Sequence, residues 1–240
     1  MANSVAANAV TPATIAFYGN VAVVALSGGD YSSPATAMGD YSFWCGTPSA
    51  ANPCLLKIMP GVYDIETSTV VMQPYIDIEG SGQNVTVITG TVSSESYPPA
   101  NGVVNGADNA GIRFLTVKNT GGGAYVAAIV NSGHSPAMTN VTANASGGTS
   151  CVGVYNNSSS ATMTNVTVTA SGGSNSNYGV YNSSSSPTMT NVRVTASGGI
   201  LSYGVSNNSS SPTMTNVTAT GSGGSTTIMV FPTNPPPRPR

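Results

Sequence analysis

The chain has 240 residues, only 6% of them charged, and a formal net charge of −2. So few basic residues leave no positive patch for nucleic acid, and no apolar run approaches the roughly 20 residues of a membrane span. The 40% hydrophobic share falls at alternating positions, which favours a folded β protein over a disordered chain. We therefore exclude nucleic-acid binding and membrane insertion and expect an all-β domain.

Residues 1–50 are predicted to form an N-terminal cap. Ile15 to Leu26 supplies strand material. Ser33-Pro34 is typical of the N-cap and first residue of a short helix, expected from Pro34 to about Phe43. With Trp44, this helix is expected to cover the end of the fold, because an uncovered terminal coil exposes strand edges.

Three cysteines raise the question of a disulfide or a reactive thiol. Cys45 and Cys54 bracket a turn-rich loop, and both a disulfide between them and a pair of free thiols are open. Cys151 aligns with polar residues of later repeats, which predicts a free thiol near the surface. The one histidine, His134, aligns with turn serines, so a Cys–His nucleophile pair is not expected.

A repeat dominates the C-terminal half. Met-Thr-Asn-Val recurs from Met138 at steps of 25, 26 and 25 residues. Each unit holds three short strand-like runs separated by Ser, Gly, Asn and Pro. Less regular copies extend the pattern back to about residue 51, so we predict a right-handed parallel β-helix over residues 51–231, in one domain with the cap. It has about seven coils with three strands per coil, and its four repeated methionines form one buried column: Met138, Met163, Met189 and Met214.

Two columns of asparagine run through the same repeats. Asparagine tolerates the left-handed backbone of a sharp corner, and stacked amides can bond along the axis. The pattern therefore predicts a structural ladder of Asn140, Asn165, Asn191 and Asn216, beside a second column of Asn131, Asn156, Asn182 and Asn207.

Segments of the N-terminal half resemble a known family. They are Val24–Tyr31, Lys57–Tyr63, Ile78–Gly82, Thr86–Gly90 and Phe114–Gly121. Together, over about residues 20–130, they resemble pectin methylesterases, which implies the β-helix of the pectin lyase-like superfamily. The 25-residue repeats resemble uncharacterised bacterial surface proteins of that superfamily, which implies no activity.

The catalytic pattern of those esterases is not matched. The family uses aspartates in Gln-Asp and Asp-Phe contexts and an arginine beside Pro-Trp, whereas here no glutamine precedes an aspartate and no acidic residue follows Asp108. The enzyme hypothesis stays open only for a site on the coils that hold Asp77, Glu79, Asp108 and Arg113. The missing catalytic pattern favours a protein without catalytic residues. No metal or cofactor is predicted.

Outward threonines form the predicted binding face. They are Thr139, Thr162, Thr164, Thr188, Thr190, Thr213 and Thr215. A flat two-column Thr face is typical of ice-binding β-solenoids and is equally suited to glycans or to another copy of the chain. Threonine is also simply the exposed residue with high β-propensity, which is the structural alternative.

Three hypotheses for function follow. The first is a non-catalytic extracellular or cell-surface module, structural or adhesive, whose partner is carbohydrate or itself; the Ser/Thr/Asn-rich surface favours that location. The second is a polysaccharide-active enzyme of the esterase or lyase type, and the third is ice binding. Residues 232–240 are predicted to be an extended Pro-rich tail.

Overall fold

The computed structural model describes residues 18–223 and 226–228, which wind into a parallel β-solenoid of about seven turns. Every pairing between its strands is parallel, which confirms the predicted fold class. The described strands are β1 (Asn20–Val24), β2 (Cys54–Ile58), β3 (Gly61–Asp64), β4 (Val70–Val71), β5 (Ile76–Glu79), β6 (Thr86–Gly90), β7 (Val104–Asn105), β8 (Gly111–Asn119), β9 (Tyr125–Ser132), β10 (Ala137–Ser146), β11 (Ser150–Asn157), β12 (Thr162–Thr164), β13 (Thr167–Ser171), β14 (Ser176–Ser183), β15 (Thr188–Thr190), β16 (Arg193–Ser197), β17 (Leu201–Asn208), β18 (Thr213–Thr215), β19 (Thr218–Ser222) and β20 (Thr226–Ile228).

The strands form a three-sided prism. One side, the first face, follows the order β1-β2-β5-β8-β10-β12-β15-β18. The second face holds β3, β6, β13, β16 and β19, and it joins the first through the long bent strands β8 and β10. The third face is the separate sheet β4-β7-β9-β11-β14-β17-β20. The regular coils thus contribute three strands each, as the repeat predicts.

The cap consists of two short helices instead of the single predicted one. They are α1 (Pro34–Gly39) and α2 (Tyr41–Trp44), and they meet at Asp40. The hydroxyl of Ser33 caps α1 by accepting from the Thr36 amide, and the Trp44 indole N–H donates to the Ala37 carbonyl over 2.8 Å. Neither described helix approaches the length needed to cross a membrane.

Apolar columns fill the prism. Successive methionines pair in register along the first face, and Met138, Met163 and Met189 are fully buried. Burying such a side chain contributes about 1.5–3 kcal/mol. The prediction is wrong for Met214, which is only partly buried because it lies on β18, the last strand of the first face among the described residues.

Both asparagine columns form hydrogen-bonded ladders, with different burial. Within residues 18–223, the corner ladder joins Asn165, Asn191 and Asn216 but not Asn140. Asn131, Asn156 and Asn182 are fully buried at the end of the third-face strands, and each amide donates over 2.8 Å to the amide oxygen one coil further on. At the exposed corner between the first and second faces, Asn191 donates to Asn165 and Asn216 donates to Asn191, each over 3.1 Å. Asn140 and the three residues after it in this column all have φ between 52° and 54°.

The prediction of a surface thiol is wrong. Cys151 is fully buried in the prism, and burial raises its pKa. Its polar neighbours in the column, Asn177 and Ser202, are buried as well, because their side chains bond carbonyl groups of the Gly-rich turns inside the coil. A polar column is therefore not evidence of exposure here.

Several predictions fall partly outside the described residues. These are residues 15–17 of the first predicted strand, residues 229–231 of the last one and the Pro-rich tail 232–240.

Of the two alternatives for Cys45 and Cys54, the structure has the disulfide, with Cα atoms 5.9 Å apart.

Candidate binding surfaces

The predicted Thr face lies on the outer surface of the first face. Two columns run in register along it, one from Thr162 to Thr213 and one from Thr139 to Thr215. Alternation within each Thr-Met-Thr strand sends methionine inward and both threonines outward, and the threonines are half-buried or exposed. All seven predicted threonines are therefore together on one flat surface.

The same surface becomes ionic toward the N-terminus. The longer Thr column continues in register into Arg113, Glu79 and Lys57. Arg113 Nε and Lys57 Nζ each donate over 2.8 Å to a different oxygen of Glu79. Arg113 Nη1 also donates to Asp77 Oδ2 over 2.8 Å. The acidic pair Asp77 and Glu79, which could have served an enzyme, is thus neutralised by Lys57 and Arg113 on the neighbouring strands.

Tyr18 closes this ionic network. Its hydroxyl donates to Asp77 Oδ2 over 2.6 Å and accepts from Arg113 Nη2 over 2.6 Å, while the Gly111 amide donates to Asp77 Oδ1. Burial would raise the pKa of Glu79, but the hydrogen bonds from Lys57 and Arg113 hold it below its ordinary value. Burial and the bond to Asp77 raise the pKa of Tyr18. Every charge in the network is matched.

A depression of about 390 Å³ lies where the network meets the Thr face. Asp77, Arg113, Ser135 and Thr139 line it. Both Asp77 oxygens already accept hydrogen bonds, so a ligand entering this depression meets an occupied carboxylate.

Asp108, the fourth acidic candidate, lies apart and pairs with His134. The Nδ1 of His134 is 2.9 Å from Asp108 Oδ2, and both side chains are about half exposed. The bond from His134, with a second from the Ser135 amide, holds the pKa of Asp108 below its ordinary value. Among the described residues, no three His, Cys, Asp or Glu side chains are grouped closely enough to hold a metal ion.

An aromatic cluster on the third face was not predicted from the sequence. This tyrosine cluster consists of Tyr97, Tyr125, Tyr155, Tyr178, Tyr181 and Tyr203. Tyr178 and Tyr203 are register partners whose rings stack 5.0 Å apart at 5°, and Tyr155 and Tyr181 stack 5.4 Å apart at 16°. Two aromatic columns therefore run along the outer surface of the third face.

Residues 93–101 fold over this surface and bring Tyr97 to it. The backbones of Ser94 and Tyr125 exchange two hydrogen bonds, which fix the segment against β9. The Tyr97 ring lies 5.3 Å from Tyr125 and 5.9 Å from Tyr181. Val130, Val152 and Tyr155 form with Ala127 a second buried apolar cluster, separate from the prism interior.

Two depressions flank this segment. The tyrosine depression, about 180 Å³, is lined by Tyr97, Tyr125 and Tyr178 with Ser150, Asn175 and Ser176. On the other side, the histidine depression of about 390 Å³ has His134, Gln73, Asn105 and Ser132 among its lining residues. Burial, followed by contact with Tyr178 and Tyr181, raises the pKa of Tyr97, so its hydroxyl stays neutral. Aromatic walls with hydroxyl and amide groups give an uncharged site that can both pack and hydrogen-bond.

The repeat register contained a signal for these columns. Tyr155 and Tyr181 align, and so do Tyr178 and Tyr203, at strand positions on either side of the buried column of Val154, Val180 and Val205. The contact with Tyr97 had no such signal, because residues 93–101 belong to no repeat and contact strands up to 84 residues away.

Comparison with solved structures finds similar folds in pectin methylesterases and in a mannuronan C-5 epimerase. Pectin methylesterase from carrot matches 82% of this chain and 65% of its own length, with 16% identity and a TM-score of 0.50. The A-module of the mannuronan C-5 epimerase AlgE4 from Azotobacter vinelandii matches 77% of this chain and 64% of its own, with 13% identity and a TM-score of 0.43. Pectin methylesterase PemA from Erwinia chrysanthemi matches 75% and 66%, with 14% identity and a TM-score of 0.41.

These likenesses concern the fold. The resemblance to the pectin lyase-like superfamily that the sequence indicated is confirmed as a likeness of fold, and the chain spans about two thirds of the length of these proteins. The sequence itself matches no protein-family model and no curated protein.

Proposed function

We propose that this chain is a non-catalytic, extracellular carbohydrate-binding module. The observation that carries the proposal is the tyrosine depression, where three aromatic side chains converge with two serines and an asparagine. A tyrosine ring offers an apolar body to the C–H groups of a sugar and a hydroxyl to its polar groups. The cluster also lies on an open, elongated sheet surface, which suits a chain-like ligand.

The state of the carboxyl groups supports binding without catalysis. Acid–base chemistry on a glycosidic bond uses a pair of carboxyl groups, one of them an acid with a raised pKa. Here the pKa values of Glu79 and Asp108 are lowered instead, and Asp77 is bound to Arg113 and Tyr18. None of these three residues lines the tyrosine depression.

The disulfide supports an extracellular setting. Structural disulfides persist mainly in oxidising compartments, and Cys45–Cys54 fastens the loop between the cap and the first coil. The proposed location rests on this bond and on the Ser/Thr/Asn-rich surface.

Binding to immobilised polysaccharides, measured with matched variants, tests the proposal. Tyr97→Ala removes a ring that is 41% exposed and is expected to weaken binding about tenfold, the usual scale for a central aromatic contact. Thr164→Ala, a small change on the first face, is the control and should bind as the wild type does. An equal loss in both variants, or turnover of the polysaccharide, would contradict the proposal.

The Thr face supports a second candidate, self-association or ice binding on the first face. The specific observation is the register of its two columns, whose neighbours along the axis are about 4.8 Å apart. Thr190→Tyr places a bulky ring in the middle of this surface. It should abolish concentration-dependent association or thermal hysteresis if either occurs, and leave polysaccharide binding unchanged.

A further inference from the structure

We infer that the tyrosine depression selects uncharged glycans over uronate polymers. The inference rests on the carbohydrate-binding function proposed above and names the ligand class of that same site. Pectin methylesterases are among the structures whose fold this chain resembles, and the inference sets the chain apart from them.

The first support is the placement of the basic residues. Within residues 18–223, lysine and arginine occur at four positions: Lys57, Arg113, Lys118 and Arg193. Lys57 and Arg113 belong to the ionic network on the first face. Lys118 and Arg193 project from β8 and β16 where these strands form the second face. None of the four lines either depression on the third face.

The second support is that the charged side chains near the site include an exposed carboxylate and no free basic residue within residues 18–223. Glu95 is exposed and belongs to the segment 93–101 that carries Tyr97. On the far side of this segment, His134 is already paired with Asp108. A carboxylate on the ligand would therefore meet the carboxylate of Glu95 and a histidine whose Nδ1 is already in contact with Asp108. Since burying an anion without a counter-charge is costly, this surface disfavours uronates.

The third support is the polar lining itself. Ser150 and Ser176 are almost fully buried, and Asn175 lies exposed beside them. Hydroxyl and amide groups both donate and accept, as sugar hydroxyls do, whereas a carboxylate only accepts. The neutral hydroxyl of Tyr97 adds a group of the same kind. The lining is thus complementary to a ligand of mixed donors and acceptors.

Polygalacturonate and its carboxyl-reduced form, a galactan with the same linkage, provide the test. The two polymers differ only at C6, so their affinities report the effect of charge alone. The intact chain is expected to bind the reduced polymer at least about tenfold more tightly, with little dependence on salt. Equal or tighter binding of polygalacturonate would overturn the inference and leave the carbohydrate function standing. Binding of neither this pair nor any other neutral glycan in a panel would overturn both.

A gain-of-function variant sharpens the test. Asn175→Lys adds a cation to the rim of the depression, and should create salt-sensitive binding of polygalacturonate. Asn208→Lys adds the same charge at an exposed position at the end of β17 and is the matched control. If Asn175→Lys binds polygalacturonate no better than Asn208→Lys, charge does not control selection at this site and the inference is wrong.

Discussion

The N-terminal and C-terminal coils solve the same stacking problem with different side chains. On the outer surface of the first face, one register column reads Lys57, Glu79, Arg113 and then only threonine from Thr139 onward. The first part is joined by specific ion pairs and held by Tyr18. The second part repeats a single residue, threonine. Its coils are held together by the apolar columns and the buried asparagine ladder inside the prism, and by the second asparagine ladder at the corner.

The corner between the first and second faces shows the same contrast. Asparagine turns it from Asn140 onward, but Phe114 occupies the equivalent position one coil earlier, with φ of 57°. A left-handed conformation is unfavourable for a bulky residue and mild for asparagine. At this corner the regular coils are therefore relaxed, whereas the N-terminal coil carries strain.

The two regions contribute different parts of the candidate site. The regular coils provide a long platform on which the tyrosine columns repeat. The irregular N-terminal part provides the segment 93–101, whose Tyr97 reaches across to Tyr178 and Tyr181. The candidate site is formed where the irregular region folds over the regular one.

The largest expected effect is the difference in stability between a charge placed inside the regular coils and one placed on their outer surface. Val180→Asp places an unpaired charge in a fully buried column and should cost more than about 4 kcal/mol of unfolding free energy. Thr190→Asp on the Thr face should change it by only about 0.5 kcal/mol. Thermal denaturation followed by circular dichroism measures both. Similar melting temperatures would mean that the inner and outer surfaces are reversed.

The two asparagine ladders are expected to differ in energy. Asn182→Ala leaves the buried amide of Asn156 without its acceptor and should cost about 2 kcal/mol. Asn191→Gly removes an exposed amide while keeping the left-handed conformation, and should cost less than about 0.5 kcal/mol. Urea titrations compare them, and equal losses would refute the assigned difference in burial.

The ionic network should make stability depend on pH through the N-terminal coils. Because the pKa of Glu79 is lowered in the folded state, its contribution is present above the unfolded pKa of about 4.3. It is lost as pH falls from there through the folded pKa. Its partial exposure limits the effect to less than about 1 kcal/mol.

Urea titrations between pH 7 and pH 3 can isolate this contribution. Glu79→Gln should flatten the acid-side loss of stability, whereas Glu95→Gln, outside the network, should leave it unchanged. An identical pH profile for the wild type and Glu79→Gln would show that the ionised carboxylate of Glu79 adds no stability.

The smallest expected effect concerns the strained corner. Phe114 is 40% exposed, so replacing it sacrifices limited burial. Phe114→Asn should raise stability by about 0.5 kcal/mol because asparagine adopts the left-handed conformation more easily. A decrease in the denaturation midpoint of Phe114→Asn would mean that packing of the ring outweighs its backbone strain.

Sequence reasoning was most successful where the repeat is strict. The period placed Met138, Met163 and Met189 in one buried column, because alternation and register together determine which side chains point inward. It was wrong where a polar column is internal, as at Cys151, because residue type alone does not reveal a bond to a turn carbonyl. It also predicted full burial for Met214, which is only partly buried because fewer residues cover a column near its end.

The candidate site was less accessible to sequence reasoning. The ionic network was indicated only as a group of acidic residues with Arg113; its pairing depends on the register between irregular coils. The tyrosine cluster depends on residues 93–101, which follow no repeat and whose path over the third face is set by tertiary contacts. Periodicity in the sequence identifies the regular coils, whereas the path of the segment 93–101 over them can be read only from the structure.

Hydrogen exchange measured with and without a bound neutral polysaccharide tests the central claim most directly. Exchange is followed by mass spectrometry, so that each surface of the prism reports separately. Binding at the tyrosine cluster predicts slower exchange in residues 93–101 and 174–178, with no change in residues 186–191 of the Thr face. Protection confined to the Thr-Met-Thr strands, with none around Tyr97 and Tyr178, would contradict the account.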